Sequence, residues 1–191
     1  MTRIDFLRHG EPEGGNRYRG CGTDHPLSAL GWRQMWAAVE GKPGWDAVVT
    51  SPMIRCQAFA ETLAGSRGLP LEVMRDLREA GYGAWEGRAP EEISATEPEA
   101  YRALYADPLN CRPPGAEPLA AFTSRVTQAW GCVMEKYLGQ HILLVSHAGT
   151  MRAILSHVLG APMASQQRIS LSYAAFFSLQ QDAMKGIQIV L

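Results

Sequence analysis

Thr2-Arg3-Ile4-Asp5-Phe6-Leu7-Arg8-His9-Gly10-Glu11 opens the chain, and its reading sets the frame for everything after it. The apolar run from Ile4 to Leu7 reads as the buried part of a strand that starts at Thr2. Where that strand stops, Arg8 and His9 bring a cation and a titratable imidazole to a sheet edge. Open α/β sheets bind ligands there, just beyond the carboxyl ends of their strands. Gly10 is expected to let the backbone turn sharply and a ligand come close. Together these residues point to an anion site built around a reactive histidine.

Further along, strands alternate with helices. Ser28 to Val39 reads as a helix capped by Ser28 and stopped by Gly41 and Pro43. Trp45 to Thr50 holds the strand core Ala47-Val48-Val49. Ser51-Pro52 offers a capping hydroxyl ahead of a proline at the first helical position, with that helix running to about Ala64 and ending near Gly65. Leu69 to Met74 reads as a short strand. Residues 75–118 are irregular and proline-rich, with short helices expected near 90–95 and 98–106. Leu119 to Leu138 is the longest helix. Ile142-Leu143-Leu144-Val145 has the unbroken apolarity of a strand covered on both faces. Gly149-Thr150 opens a helix to about Leu159. Tyr173 to Leu179 and Ile187 to Leu191 read as strands joined by a turn over Asp182 to Gly186. Trp32 and Trp36, four apart on the first helix, read as core packing. This order predicts an α/β three-layer sandwich: a mainly parallel central sheet flanked by helices. One domain over 1–191 is expected, with a cap-like irregular insertion around 79–118.

Composition narrows the function. The chain has 191 residues, 46% of them hydrophobic, enough for a sizeable core. The formal net charge of -1 provides no global field for nucleic acid or a membrane surface, so anion affinity must be local. No apolar stretch is long enough to span a bilayer, and Met1 to Asp5 lacks an apolar signal core. Cys21, Cys56, Cys111 and Cys132 show no C-x-x-C spacing and read as free thiols of a cytoplasmic protein. No cluster has metal-ligand spacing, and neither a metal nor another cofactor is expected. A monomer or a homodimer is equally compatible with the sequence.

Three strand ends carry similar chemistry. The first brings Arg8 and His9. The second brings Ser51 and, one helical turn on, Arg55. The fourth brings Ser146-His147-Ala148-Gly149. In a parallel sheet these ends converge on one edge, where helix N-termini present free N–H groups. Taken singly, His9 or His147 reads as a hydrogen-bonded structural histidine and Arg55 as a solvated helix residue. Taken together they suit a dianionic phosphoryl group, because arginine forks match phosphate oxygens bidentately. His25, His141 and His157 lack that placement and read as structural or exposed.

The tetrad Arg8 to Glu11, the helix start Ser51-x-x-x-Arg55, Glu79 within Leu77-Arg78-Glu79-Ala80-Gly81-Tyr82-Gly83-Ala84-Trp85-Glu86-Gly87, and Ser146-His147-Ala148-Gly149 resemble, in order, the histidine phosphatase superfamily, the phosphoglycerate-mutase-like group. The resemblance implies a metal-independent phosphomonoesterase acting on a small phosphate ester. His9 is then the nucleophile that becomes phosphohistidine. Arg8, Arg55 and protonated His147 form the phosphate pocket, and Glu79 is the general acid and base. A neutral, attacking His9 needs its other ring nitrogen bonded to a fixed acceptor, and a backbone carbonyl near Gly10 is the candidate. Glu11 is expected to position the loop.

Gly14 to Gly20, Pro26-Leu27-Ser28, Gly83 to Gly87, Asp107-Pro108 and Pro113 to Glu117 resemble the α-ribazole phosphatase branch. That branch removes the 5′-phosphate of α-ribazole phosphate in cobalamin nucleotide-loop assembly. Phosphoglycerate mutase, a broad-specificity phosphatase and a non-catalytic phosphate-ligand binder are the alternatives. Pro12 stands where many relatives carry Thr or Ser and supplies neither a hydroxyl nor an N–H. Asn16 and Ala148 are candidate phosphate contacts. Arg17, Tyr18, Arg19, Tyr82, Trp85 and the 100–118 segment are expected around the mouth, where aromatic rings could stack on a base. For Tyr82 and Trp85, packing inside the cap is the competing reading.

Overall fold

The computed structural model describes residues 1–42, 44–182, 184 and 186–190. Its centre is β1 (Thr2–Arg8), which pairs in parallel with β4 (His141–Ser146) on one side and antiparallel with β5 (Phe176–Asp182) on the other. Beyond β4 lie β2 (Ala47–Thr50) and β3 (Leu71–Val73), both parallel; beyond β5 lies antiparallel β6 (Gly186–Val190). The six-stranded order is β3-β2-β4-β1-β5-β6. The C-terminal ends of β1, β2 and β4 therefore share one edge. Pro43, Ala183, Lys185 and Leu191, which belong to the expected helix stop, turn and final strand, lie outside the described residues.

Both faces of the sheet are covered, because alternate residues of the inner strands point to opposite sides. Ile4, Phe6, Ile142 and Leu144 pack with α5 (Leu119–Lys136) and α6 (Ala148–Val158). Leu7, Val48, Leu143 and Val145 pack with α1 (Ala29–Val39) and α2 (Ile54–Arg67). Phe6 stacks on Phe177 with ring centroids 4.8 Å apart. Each such fully buried side chain stabilises by about 1.5–3 kcal/mol. This is the three-layer α/β sandwich.

Ser28 caps α1 as expected, accepting the Gly31 N–H at 3.0 Å. The start and end of α2 differ from the expectation. Ser51 and Pro52 precede the helix, which begins at Ile54 and passes through Gly65 to end at Gly68, whose φ of 65° closes it in the left-handed region. The Ser51 hydroxyl is engaged elsewhere, as described below. Trp32 and Trp36 both pack on Phe59, but Trp36 remains exposed.

Segment 79–118 contributes α3 (Pro90–Thr96) and α4 (Pro98–Ala106), each with proline in its first turn. Trp85, Ile93 and Leu104 form a small separate cluster, with Tyr18, Tyr82 and Tyr101 against it. No helix among the described residues is long and apolar enough to cross a membrane. All four cysteines are free.

Candidate active site

The β1 end is held by backbone packing. A Cβ on Gly10 would lie 2.2 Å from the Gly31 carbonyl oxygen, and one on Gly31 would lie 2.1 Å from that of Glu11. Gly10 is thus required by the close approach of α1, not by a sharp turn or a ligand; it is absent from the positive-φ glycines. Glu11 does hold the loop: its N–H donates to Gln34 Oε1 and its carbonyl accepts from Ser28 N. Pro12 forms an isolated antiparallel bridge with Leu27.

His9 is buried, and its Nδ1 lies 2.8 Å from the Gly10 carbonyl oxygen. A carbonyl only accepts, so Nδ1 carries the proton and neutral His9 keeps a lone pair on Nε2. Burial holds the imidazole well below its ordinary value of 6.5, helped by the Arg55 and Arg8 charges; the Gly10 bond opposes this. His147, capping α6, lies with its ring centroid 5.2 Å from that of His9. It too is held well below 6.5, by burial first and then by Arg55, His9 and Arg8. Burial beside two guanidinium groups favours the neutral ring, whereas a phosphoryl dianion in the site would favour the protonated one expected from the sequence. Ser51 accepts the Met53 N–H at 3.2 Å and sits 2.7 Å from His147 Nε2. Cys56 Sγ lies 3.6 Å from the same nitrogen.

A cleft of about 220 Å³ opens beside His9. Of the residues singled out in the sequence, Arg8, His9, Asn16, Arg17, Tyr18, Arg19, Glu79, Tyr82, Ala148 and Gly149 line it. Arg55 and His147 do not; both are fully buried behind His9. Arg55 donates to the carbonyls of Thr23, Arg19 and Gly20 at 3.1–3.4 Å and reaches Asp24 Oδ1 at 3.4 Å, so it stitches the 19–24 loop to α2. Trp85 is also absent from the cleft. Its ring fills the core of the 79–118 segment and its Nε1 donates to Glu97 Oε2 at 3.0 Å. The mouth reading of Trp85 is replaced by the packing one.

Glu79 reaches the site from the loop after the 3₁₀ turn Arg75–Leu77. Its Oε1 accepts from Ala80 N and its Oε2 from Gly149 N, both at 3.0 Å. Any Cβ on Gly149 would stand 2.2 Å from Oε1, so glycine at the α6 N-terminus makes room for the carboxylate. Arg125 fixes the approach of this loop, gripping both Glu117 oxygens and donating to the carbonyls of Asp76, Arg78 and Glu79.

Two polar atoms decide what the site can hold. Arg8 Nε and Arg55 Nε are buried N–H donors without a partner among the described residues. Buried unpaired donors on charged groups are costly, and two of them on arginines whose charges reach His9 call for an anion with several acceptor oxygens. Sequence reading missed Arg152, Gln167 and Tyr173, which also line the cleft. Arg152 stands one turn into α6, four positions after Ala148, a spacing that puts both on one helix face.

The chain belongs to the histidine phosphatase superfamily (branch 1), which it matches over residues 4–189. It is 33% identical over 99% of its length to a bifunctional protein of Mycobacterium tuberculosis, of which the match covers 53%. The chain thus spans about half the length of that relative. It is 29% identical over 84% of its length to the adenosylcobalamin/alpha-ribazole phosphatase of Escherichia coli, covering 80% of that protein. The crystal structure of the alpha-ribazole phosphatase from Shigella flexneri superposes with a TM-score of 0.84 at 26% identity, covering 99% of this chain and 95% of that one. The likeness carries across the whole sandwich, sheet edge included.

Proposed function

We propose that this protein is a phosphomonoesterase working through a phosphohistidine at His9. The observation that carries the reading is the pair of unpartnered guanidinium N–H groups, on Arg8 and Arg55, whose charges act on a histidine whose tautomer leaves Nε2 free to attack. The Nε2 lone pair attacks phosphorus in line, and the P–O bond to the alcohol breaks. Arg8 holds the equatorial oxygens where charge spreads in the transition state, with Arg55 and His147, buried behind His9, backing the pocket. Glu79 gives its proton to the departing alkoxide. Its carboxylate then takes a proton from water, whose oxygen attacks phosphorus as the P–N bond breaks. Inorganic phosphate leaves, and both His9 and Glu79 return to their starting forms. Asn16, Arg17, Tyr82 and Ala148 contact the substrate from the cleft wall, and segment 79–118 caps it.

For the substrate we propose α-ribazole phosphate. Supporting this are the phosphatases of E. coli and S. flexneri, named for that substrate, and the rings of Tyr18, Tyr82 and Tyr105 along the cleft, flat surfaces for a benzimidazole base. A panel of α-ribazole phosphate, 3-phosphoglycerate and aryl phosphates, compared by kcat/KM, tests that choice. A preference for 3-phosphoglycerate with positional transfer and little free phosphate would move the protein to the mutases.

The chemistry is tested by labelling. A radiolabelled ester should leave an acid-labile phosphate on the wild type. His9→Ala should remove the label and cut turnover by at least about four orders of magnitude, as loss of a nucleophile does elsewhere. Normal turnover by His9→Ala would end the reading.

A further inference from the structure

Arg8 is a largely buried cation, yet among the described residues it has no carboxylate within 4 Å. What holds it comes from one loop, residues 169–175, between the last 3₁₀ turn and β5. Arg8 Nη1 donates to the Leu171 carbonyl at 2.6 Å. The guanidinium carbon lies 4.3 Å from the centre of the Tyr173 ring. The same loop closes on the β1 end through its backbone: Arg8 N donates to Ala175 O at 3.0 Å and Ala174 N to His9 O at 3.2 Å. Ile169 O accepts from Arg152 Nε at 2.7 Å. Between these contacts Ala174 sits at φ 54°, the one positive-φ residue other than glycine among those described. A left-handed alanine is strained and persists only where its surroundings over-determine it, and such strain gathers at functional sites.

We propose that Tyr173 is a positioning residue for Arg8. Its ring and the Leu171 carbonyl clamp the guanidinium so that the Nε–Nη2 edge faces the transferring phosphoryl group. The clamp uses Nη1, the nitrogen outside that edge, and leaves Nε without a partner. The free edge is the one that grips two oxygens at once. The ring supplies the cation with a favourable face at a place where a carboxylate would compete with the phosphate for the same N–H groups. The inference rests on the phosphatase reading for its chemistry but on the loop geometry for its residues.

Tyr173→Leu removes the ring face and Tyr173→Phe keeps it. For a phosphate ester, Tyr173→Leu should lower kcat by about 10- to 100-fold, the cost of a misplaced catalytic group, with KM within about threefold of wild type. Tyr173→Phe should restore kcat to within about threefold of wild type. Calorimetric titration with orthovanadate, which adopts the five-coordinate geometry of the transfer, should show the same loss in Tyr173→Leu, while inorganic phosphate binding changes by less than about threefold. Unfolding midpoints should match across the three proteins. A Tyr173→Leu enzyme with wild-type kcat and wild-type vanadate affinity would overturn the clamp. So would Tyr173→Phe falling as far as Tyr173→Leu, which would give the role to the hydroxyl. A wild type that binds vanadate but hydrolyses no ester would remove the phosphatase reading instead, and the vanadate comparison would still decide the clamp.

Discussion

Arginines on the two sides of the cleft live differently. On the sheet side, among the described residues, Arg8, Arg17, Arg19 and Arg152 have no carboxylate partner and donate to carbonyls or a histidine nitrogen. In and around segment 79–118, Arg78 pairs with Asp76, Arg88 with Glu92 and Glu97, and Arg125 with Glu117, while Arg112 donates to the carbonyls of Glu117 and Gly81. The paired set builds structure, with Arg125 also holding three backbone carbonyls of the loop that carries Glu79. The unpaired set keeps its charge available, at a cost that only a bound anion offsets. Arg55 belongs to both sets, with an unpartnered Nε in the site and an ion pair with Asp24 at 3.4 Å.

Glu79 stands on the boundary, and removing its charge should break the comparison most clearly. Among the described residues it is the one carboxylate lining the cleft. Glu79→Gln removes the proton shuttle and should lower kcat by about 10²- to 10⁴-fold. The loss should be greatest for esters with poor leaving groups, since an aryl phosphate needs less help from an acid. The amide also turns an N–H toward either Ala80 N or Gly149 N, so a modest drop in unfolding midpoint should accompany it. A variant with undiminished kcat on alkyl phosphates would remove Glu79 from the chemistry.

Trp85→Ala tests the structural side. It empties the centre of the small cluster with Ile93 and Leu104 and takes the indole donor from Glu97. Truncations of this kind cost about 3–5 kcal/mol when the cavity does not collapse. Denaturant unfolding should show the loss, while KM for a small aryl phosphate stays near wild type because the ring does not line the cleft. A large KM increase with unchanged stability would return Trp85 to the mouth.

The sequence made the sheet and most helices legible, since period-2 and period-3.6 patterns and caps such as Ser28 are local. The strand-end residues were legible for a topological reason: parallel strands must present their C-terminal ends together. What escaped was what depends on distant approach. Leu171 holds Arg8 across 163 positions, and no local pattern announces that. Gly10 stands out in the sequence, but the neighbour that demands it, α1, meets it only in three dimensions. Ser51 resembled a helix cap because capping a helix and bonding a buried imidazole suit the same short hydroxyl. Trp85 sits in a 3₁₀ turn, Gly83–Trp85, too short for any periodicity to tell an inward from an outward ring.

The smallest expected effect, pH, separates the two regions by where each loses stability. His9 and His147 are neutral when folded and have their values held below 6.5, so the unfolded chain takes up protons first as pH falls. Their contribution is complete above about 6.5 and is lost as pH drops from there toward the folded values. The carboxylates of the other region act lower. Glu97 is held below its ordinary 4.5 by the Arg88 hydrogen bond and then by Trp85. Burial alone would raise Glu117, but Arg125 outweighs it and the net direction is down. Their contribution is complete above about 4.5 and disappears only below it. Denaturant midpoints followed from pH 8 to 3 should therefore fall in two stages. The double variant His9→Gln, His147→Gln should flatten the upper stage alone, and Arg125→Gln the lower. The free enzyme's acid limb in kcat/KM, read with an ester whose own ionisation is known, should lie well below 6.5, because protonating His9 removes the attacking lone pair. A single-stage profile unchanged by the histidine variants would mean that the two buried imidazoles are not held neutral, and the charge separation between the regions would lose its titration signature.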